Sequence, residues 1–368
     1  MATETQDEIS KKVQESLKDS LYACSTLTKL SGGTANFVYR GALTTPLSDG
    51  TKTVVIKHTE AYVASNPDFK LTDSRCEYEH SILTALSSFP PVVHSGILVQ
   101  TPHLYLFNKE TNTQVYSDLP SSLDLKTYVL THHETLTEAQ CQRLGRALGE
   151  WCRSFHVWAN SPQQTSLREV MKGNKAMQDL KYSINYDVLL ATVDVFPEIL
   201  GEKKALLEEV AKKVKTELEA RDGELIHGDF WSGNVLLPST PIPSPSSSIP
   251  PLKVFILDWE LSQLSLPFFD LGQMLAELYE LHHFKHHSAG LWLMQSFISG
   301  YGEMDEEMKW MTILHTGVHL VCWGSRVAGW GTKEQVEDVV RTGRDWIVGA
   351  WERRREVFEG MVLGGLLG

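Results

Sequence analysis

The sequence predicts an α+β fold in which a small lobe of strands and one helix precedes a larger, mainly helical lobe. Two short β-type runs, FVYRGAL and TVVIKH, lie early in the chain and are separated by a turn at Asp49-Gly50. The segment 73–86 then changes to helical periodicity. From Thr137 onward most of the chain has the spacing of amphipathic helices.

The amino-terminal lobe is predicted to span residues 1–114 and to begin with an amphipathic helix. A hinge at 115–119 joins it to a carboxyl-terminal lobe at 120–368. The first long helix of that lobe begins with Thr137 and Gln140 at the spacing of a capping box, in which each side chain pairs with the other's backbone amide.

The carboxyl-terminal lobe is not helical throughout. A Lys/Glu-rich helix is predicted over 197–220, and β-type runs follow at 225–237 and 254–258. The Pro/Ser tract PSTPIPSPSSSIPP between those runs has no packing or pairing pattern and predicts a surface loop. Helices resume at Asp270 and again after Thr332, where Gln335 completes a second capping box.

Composition limits the function classes. The 368 residues carry 34 Lys+Arg and 46 Asp+Glu, a net charge of −12 that opposes nucleic-acid or anionic-membrane partners and suits small or cationic ones. Five dispersed cysteines without a CxxC pair argue against zinc fingers and a disulfide framework. With no signal-peptide pattern and no apolar run near ~20 residues, the expectation is a cytoplasmic protein.

The motif LIHGDFWSGNVLL contains the residues most clearly suited to chemistry. Apolar runs flank His227, Asp229 and Asn234, and the apolar run VFILDWE ends in Asp258. Phosphoryl transfer needs a carboxylate to orient the attacking hydroxyl, and carboxylate and amide oxygens to hold Mg²⁺ against ATP phosphates. Asp229, Asn234 and Asp258 match those roles. The alternative is that His227 and Asp229 only hydrogen-bond a turn.

An upstream segment supplies a matching nucleotide-binding half. In LSGGTANFVYRG, Gly32 and Gly33 lie between predicted strands, where glycines let backbone amides approach phosphates. Lys57 ends the next run, and Glu79 follows on the predicted helix, where a carboxylate can orient the lysine toward phosphates. The glycine pair alone is more typical of a hairpin turn, so the ordered set carries the interpretation.

With these residues in this order, the sequence resembles the aminoglycoside phosphotransferase and choline kinase superfamily, a branch of the protein-kinase-like fold, over roughly 30–281. The resemblance implies a bilobal enzyme that uses ATP and Mg²⁺ to phosphorylate a hydroxyl of a small molecule. It implies that Asp229 is the catalytic base and that Asn234 and Asp258 bind magnesium. The remaining family positions bind the nucleotide: Gly32, Gly33, Lys57, Glu79 and the hinge residues Val115, Ser117 and Leu119.

The phosphate acceptor stays open. The region from VVIKHTEAYV to EYEHSIL is similar to methylthioribose kinases, whereas HGDFWSGN is similar to the loop of fructosamine kinases. Aminoglycoside-, thiosugar-, ketosamine- and amino-alcohol-like acceptors all fit. The acidic net charge favours a cationic acceptor, although solubility explains the charge equally well.

Further candidates have simpler explanations. Asp270 has the position of a helix N-cap, and the resemblance adds a role, shared with His227, in supporting the catalytic loop. Four residues are candidates for contacting the acceptor, with packing or a surface ion pair as the alternative: Trp231, Glu260, Trp323 and Arg326. Histidines at 282, 283, 286 and 287 have metal-ligand spacing, but solvated histidines favouring a helix end explain them better.

Two other functions compete with a small-molecule kinase. A protein kinase would share the fold, but DWE stands where DFG is expected, and about eleven residues separate Asp258 from Asp270, too few for a peptide-docking activation loop. An inactive nucleotide-binding scaffold is the other, yet the lysine, the catalytic aspartate and the metal ligands are all present.

Overall fold

The computed structural model describes residues 6–31, 33–220, 223–244, 250–327 and 329–368. The strands are short and are, in chain order, β1 (Cys24–Lys29), β2 (Phe37–Leu43), β3 (Thr53–His58), β4 (Tyr62–Val63), β5 (Asn66–Lys70), β6 (Val92–His94), β7 (Ile97–Gln100), β8 (Leu104–Asn108), β9 (Thr113–Ser117), β10 (Ser122–Asp124), β11 (Glu224–Ile226), β12 (Val235–Pro238), β13 (Leu252–Ile256) and β14 (Gln263–Ser265).

Most helices follow Ser122. They are α1 (Gln6–Leu17), α2 (Arg75–Leu86), α3 (Leu125–His132), α4 (Glu138–Ala159), α5 (Thr165–Met171), α6 (Lys175–Tyr182), α7 (Val188–Val195), α8 (Pro197–Leu200), α9 (Lys204–Ala220), α10 (Phe268–Lys285), α11 (Ser288–Tyr301), α12 (Glu306–His319), α13 (Lys333–Trp351) and α14 (Gly364–Leu367). Tighter or wider helical turns occur at Pro162–Gln164, Ser183–Asp187, Gly201–Lys203, Ser232–Asn234, Leu320–Gly324 and Arg355–Phe358.

The chain divides into two compact units. The first unit comprises Met1–Ser88 and Thr101–Ser121, and the second comprises Phe89–Gln100 and Ser122–Gly368. Residues 89–100 were predicted to lie in the amino-terminal lobe, but they belong to the second unit. They join the second unit because β6 pairs with β7, and β7 pairs in parallel with β13.

The first unit is a five-stranded antiparallel sheet in the order β1-β2-β3-β9-β8. Helix α1 packs Ile9, Val13 and Leu17 into the same core as Val54 and Ile56 of β3. Side chains alternate faces along a strand, so the neighbouring Lys57 lies on the opposite face of β3. The strand pattern thereby separates the lysine from the apolar core.

The second unit combines a five-stranded sheet, in the order β10-β12-β13-β7-β6, with packed helices. Helices α4 and α11 approach closely because glycines face the contact. A Cβ on Gly145 would lie 2.1 Å from Ser296 Oγ, and one on Gly149 would lie 2.2 Å from the carbonyl oxygen of Phe297. Larger residues at these two positions would force the helices apart.

Several local predictions are confirmed and one is wrong. The amino-terminal helix is present as α1, and the capping boxes at Thr137 and Thr332 both form. The helix predicted over 197–220 is divided into α8, a tight turn and α9. Asp270 is not an N-cap: α10 begins after Pro267, which places Asp270 in the first turn of the helix, where its carboxylate faces inward.

Among the residues that the structure describes, none of the helices combines the length and apolar character needed to cross a bilayer.

Candidate active site

Asp229 lies in the loop that follows β11, and both of its carboxylate oxygens are held by amide groups. Asn234 donates from Nδ2 to Oδ2 at 2.9 Å, and Gln273 of α10 donates from Nε2 to Oδ1 at 2.8 Å. Each oxygen keeps acceptor capacity beyond one such bond. The carboxylate is therefore fixed in orientation while remaining able to accept a further hydrogen bond.

Lys181 of α6 determines how Gln273 is oriented. Its side chain is 2% exposed, and its ammonium donates to Gln273 Oε1. Because a lysine can only donate, the carbonyl end of the glutamine must face it, which directs the NH₂ end toward Asp229. Burial lowers the pKa of Lys181, while the charges of Asp229 and Asp270 oppose that change. Neither Lys181 nor Gln273 belongs to a motif recognised in the sequence.

Burial raises the pKa of Asp229 from 3.8 to about 6, with the negative charge of Asp258 adding to the effect. Lys181 and the hydrogen bonds from Gln273 and Asn234 oppose the rise. A carboxylate with a pKa near neutrality is a better proton acceptor than one with an ordinary pKa.

His227 links the loop of Asp229 to the strand before Asp258. It is fully buried, and burial lowers its pKa to about 4, so the imidazole is neutral. Nδ1 accepts the backbone N–H of Asp229 at 3.2 Å, which leaves Nε2 to donate to the carbonyl oxygen of Leu257 at 3.0 Å. The neutral tautomer thus fixes two loops against each other.

Asp270 supports the same loop from α10. Its buried carboxylate accepts the backbone N–H groups of His227 at 2.8 Å and Gly228 at 2.9 Å, and His156 Nε2 at 3.0 Å. Gly228 has φ +84°, and a Cβ there would lie 2.1 Å from the carbonyl oxygen of Leu261. Burial alone would raise the pKa of Asp270, but His156 and His227 hold it below its ordinary value.

Asn234 and Asp258 have the oxygen chemistry of a magnesium site. Asn234 donates its NH₂ to the backbone oxygen and the carboxylate of Asp229, which directs Oδ1 away from Asp229. The backbone N–H of Leu257 donates to the backbone oxygen of Asn234 at 2.9 Å, so the two segments are joined next to Asp258. Asp258 itself has φ +62°, an unfavourable conformation for a residue with a Cβ. Carboxylate and amide oxygens fit Mg²⁺.

In the first unit, Lys57 of β3 and Glu79 of α2 form a buried ion pair. Nζ lies 2.8 Å from Oε1, and the side chains are 9% and 2% exposed. A lysine held in this way keeps its ammonium in one place, because leaving the partner carboxylate costs interaction energy in a buried setting. The pairing expected from the sequence is therefore present in the fold.

The loop before β2 is anchored by Arg75, a residue that no sequence motif indicates. Arg75 is fully buried and donates from Nη2 to the carbonyl oxygen of Ala35 at 3.2 Å and to Asn36 Oδ1 at 2.9 Å. Gly33 lies in this loop, and a Cβ added to it would lie only 3.0 Å from a methyl group of Val38, which is a tight contact. The other predicted phosphate-binding glycine, Gly32, lies outside the described residues.

The predicted hinge residues lie at the end of the central sheet of the first unit. Val115 is fully buried in β9, which pairs with β3 on one side and β8 on the other. Ser117 Oγ accepts the backbone N–H of His103 at 3.0 Å, and Leu119 follows the strand. The backbone of Val115 is paired with β3 and β8 and so is less suited to bind adenine than the residues after the strand. The role of the hinge residues in adenine binding stays a prediction.

The candidate acceptor-contacting residues differ in exposure. Trp323 is 38% exposed and its ring stacks on His319, whereas Glu260 is 2% exposed. Arg326 is exposed beyond Trp323, and Trp231 is half-buried beside Lys126. The neighbouring Trp259 is 1% exposed and belongs to the core.

The histidines at 282–287 do not form a metal-binding group among the described residues. His286 ends α10 with φ +57°, and His283 Nε2 bonds the backbone oxygen of Gln335 at 2.8 Å. His287 stacks on His133. His283 and His287 therefore contact neighbouring segments of the chain.

Comparison with known proteins defines the class of the chain. Residues 44–306 match the family model described as "Phosphotransferase enzyme family", and the chain belongs to this APH family. The chain is thus a small-molecule phosphotransferase, and the resemblance seen in the sequence is confirmed.

Two curated relatives span nearly the same length. The chain is similar to phosphotransferase FrzJ of Cladobotryum sp, with 29% identity over 97% of this chain and 96% of the relative. It is also similar to 4-hydroxytryptamine kinase of Psilocybe cyanescens, with 24% identity over 86% of this chain and 84% of the relative.

Solved structures confirm the protein-kinase-like fold. Wild-type aminoglycoside 2′-phosphotransferase-IIIa in its GDP complex matches with a TM-score of 0.52 and 15% identity, over 95% of this chain and 99% of that one. Plasmodium vivax ethanolamine kinase matches with a TM-score of 0.50 and 13% identity, over 95% and 89% of the two chains.

Proposed function

We propose that this phosphotransferase uses ATP and Mg²⁺ to phosphorylate a hydroxyl group of a small organic molecule. The observation that carries the proposal is Asp229, a carboxylate held by Asn234 and Gln273 whose pKa is raised to about 6. Family membership supports phosphoryl transfer, and the arrangement supplies a base for a hydroxyl.

In the proposed reaction the acceptor oxygen attacks the γ-phosphorus while the bond to the β,γ-bridging oxygen breaks and ADP leaves. Asp229 orients the hydroxyl and accepts its proton, which then passes to solvent. Lys57, held by Glu79, binds nucleotide phosphates. Asn234 and Asp258 would hold Mg²⁺, which neutralises charge on the phosphates when bound.

The acceptor is sought among hydroxylated small molecules, with amines first. The relative named 4-hydroxytryptamine kinase supports an amine-bearing acceptor. The direct test is a coupled ADP-release assay with Mg·ATP against 4-hydroxytryptamine, aminoglycosides, methylthioribose, fructosamines, choline, ethanolamine and homoserine. Turnover that the Asp229→Ala variant lacks supports the proposal; labelling of mixed proteins by radioactive ATP in place of any small molecule contradicts it.

The rate should depend on pH through Asp229. The base must be ionised, and its pKa in the free protein is about 6, so kcat/KM should fall about tenfold per pH unit below about pH 6 and level off above it. A pH profile of kcat/KM measures this. An acid limb that begins only near pH 4, the ordinary carboxyl range, would contradict the assignment.

Replacing Lys57 by methionine should lower kcat/KM for ATP by about 10- to 100-fold, the effect of one lost charge-assisted hydrogen bond of ~1.5–3 kcal/mol. Because the change also leaves Glu79 as a buried charge, it is combined with Glu79→Gln. Steady-state kinetics with varied ATP measure the effect, and thermal unfolding verifies the fold. The exposed Lys52→Met is the matched control; equal kinetics in both variants would refute the role.

A further inference from the structure

One face of α10 leads from the catalytic aspartate to a second polar cluster. Gln273, Glu277 and Glu280 are spaced i, i+4 and i+7, which places them on one side of the helix. Gln273 hydrogen-bonds Asp229. At 1.5 Å per residue, Glu280 lies about 10 Å further along the helix axis.

This second cluster consists of Glu277, Glu280 and His319 of α12. All three are buried, and one ligand atom from each lies within 4.8 Å of the others. Glu277 is well partnered: Oε2 accepts Lys126 Nζ at 3.1 Å and Ser232 Oγ at 3.3 Å, and Oε1 lies 3.3 Å from His319 Nε2. Ser232 belongs to the loop of Asp229, so the cluster adjoins the candidate active site.

The carboxylate of Glu280 has fewer hydrogen-bond partners than that of Glu277. Oε2 accepts the indole N–H of Trp330 at 3.2 Å, but Oε1 meets no hydrogen-bond donor among the described residues although the side chain is fully buried. A buried polar atom of this kind is costly unless something binds it. Lys126 is the cation that acts on both glutamates, so ionising both carboxylates leaves one negative charge unbalanced.

Aromatic rings surround the cluster. Lys126 Nζ lies 4.3 Å from the ring centroid of Trp330 and 5.7 Å from that of Trp231, and Trp323 stacks on His319 with centroids 6.1 Å apart. Indole faces favour organic cations and flat rings. When both glutamates are ionised, their charge of −2 and the +1 charge of Lys126 sum to −1, which one organic ammonium group neutralises and one divalent ion exceeds. The surroundings therefore suit an organic ammonium group.

We propose that the Glu277–Glu280–His319 cluster, which adjoins the loop of Asp229 through Ser232, binds the protonated amine of the phosphate acceptor. This inference rests on the proposed function. Glu280 Oε1 supplies the ionic hydrogen bond. Burial and the charge of Glu277 raise the pKa of Glu280 well above its ordinary value, so the arriving cation restores the charge that the free protein suppresses.

The test compares binding of tryptamine with binding of 3-ethylindole, its analogue without the ammonium group, by isothermal titration calorimetry. We expect wild-type protein to bind tryptamine at least about tenfold more tightly. Glu280→Gln, which keeps the acceptor for Trp330, should abolish that preference. The exposed Glu359→Gln is the matched control and should retain it. Thermal unfolding confirms that the variants are folded.

Three outcomes would overturn the inference: equal affinity for both ligands, an unchanged preference in Glu280→Gln, or cluster-dependent binding of Mn²⁺ or Zn²⁺ that tryptamine does not displace. The last result would identify a metal site instead. Tryptamine has no hydroxyl, so its binding does not depend on turnover. Amine binding without ADP release from any hydroxylated acceptor would contradict the proposed function alone, whereas equal turnover of amine-free acceptors would contradict this inference alone.

Discussion

Replacing Asp229 by alanine is expected to lower kcat by at least about 10²-fold, the size of a general-base contribution. The variant loses the group that orients the hydroxyl and accepts its proton. The amides of Asn234 and Gln273 lose their acceptor, but both border a half-buried position that water can occupy. Steady-state ADP release measures kcat, and the KM for ATP should change far less than kcat.

The exposed Asp194→Ala makes the same chemical change away from the site and should leave kcat and the unfolding midpoint unchanged. Turnover by Asp229→Ala within about threefold of wild type would exclude Asp229 as the base. Loss of activity with an equally large fall in the unfolding midpoint would indicate a structural role instead.

Replacing Asp270 by alanine is expected to lower the free energy of unfolding by about 3–5 kcal/mol. The carboxylate accepts three buried donors, from the backbone of His227, the backbone of Gly228 and the His156 ring. Unless water enters the space left by the carboxylate, these three donors lose their hydrogen-bond acceptor. Urea unfolding measures the change, and kcat should fall as well because the loop of Asp229 loses its support.

Asp270→Asn separates shape from charge. Its carbonyl oxygen can still accept a backbone amide, while its NH₂ group cannot accept the remaining donors. It should therefore recover part of the stability lost in Asp270→Ala. If Asp270→Ala unfolds within about 1 kcal/mol of wild type, or no differently from Asp194→Ala, the carboxylate does not support the loop.

Local sequence signals were sufficient for many elements of the fold. The capping boxes at Thr137 and Thr332 form because each needs contacts only three residues apart. The parallel pairing of β7 with β13 could not be predicted, because those strands lie far apart in the chain and each is too short to show its partner. That pairing is why residues 89–100 belong to the second unit.

In helix α10, the N-cap prediction for Asp270 was wrong, but the spacing of the polar residues contained a useful signal. Asp270 suits an N-cap by spacing, but the helix begins after Pro267 and the carboxylate turns inward to backbone amides of another loop. Polar residues at 270, 273, 277 and 280 interrupt an otherwise apolar helix on one face. Such spacing, in a helix buried on nearly every side, indicates a polar function rather than a solvated face.

The sequence by itself determined the chemistry-bearing residues whose proposed roles follow from neighbours along the chain: Asp229, Asn234 and Asp258 in their loops, and Lys57 at the end of its strand. Only the tertiary structure decided which groups tune them. Lys181 and Gln273 come from distant helices and belong to no motif, yet together they orient Asp229. The physical reason is that pKa and orientation depend on burial and on partners through space, which spacing along the chain does not encode.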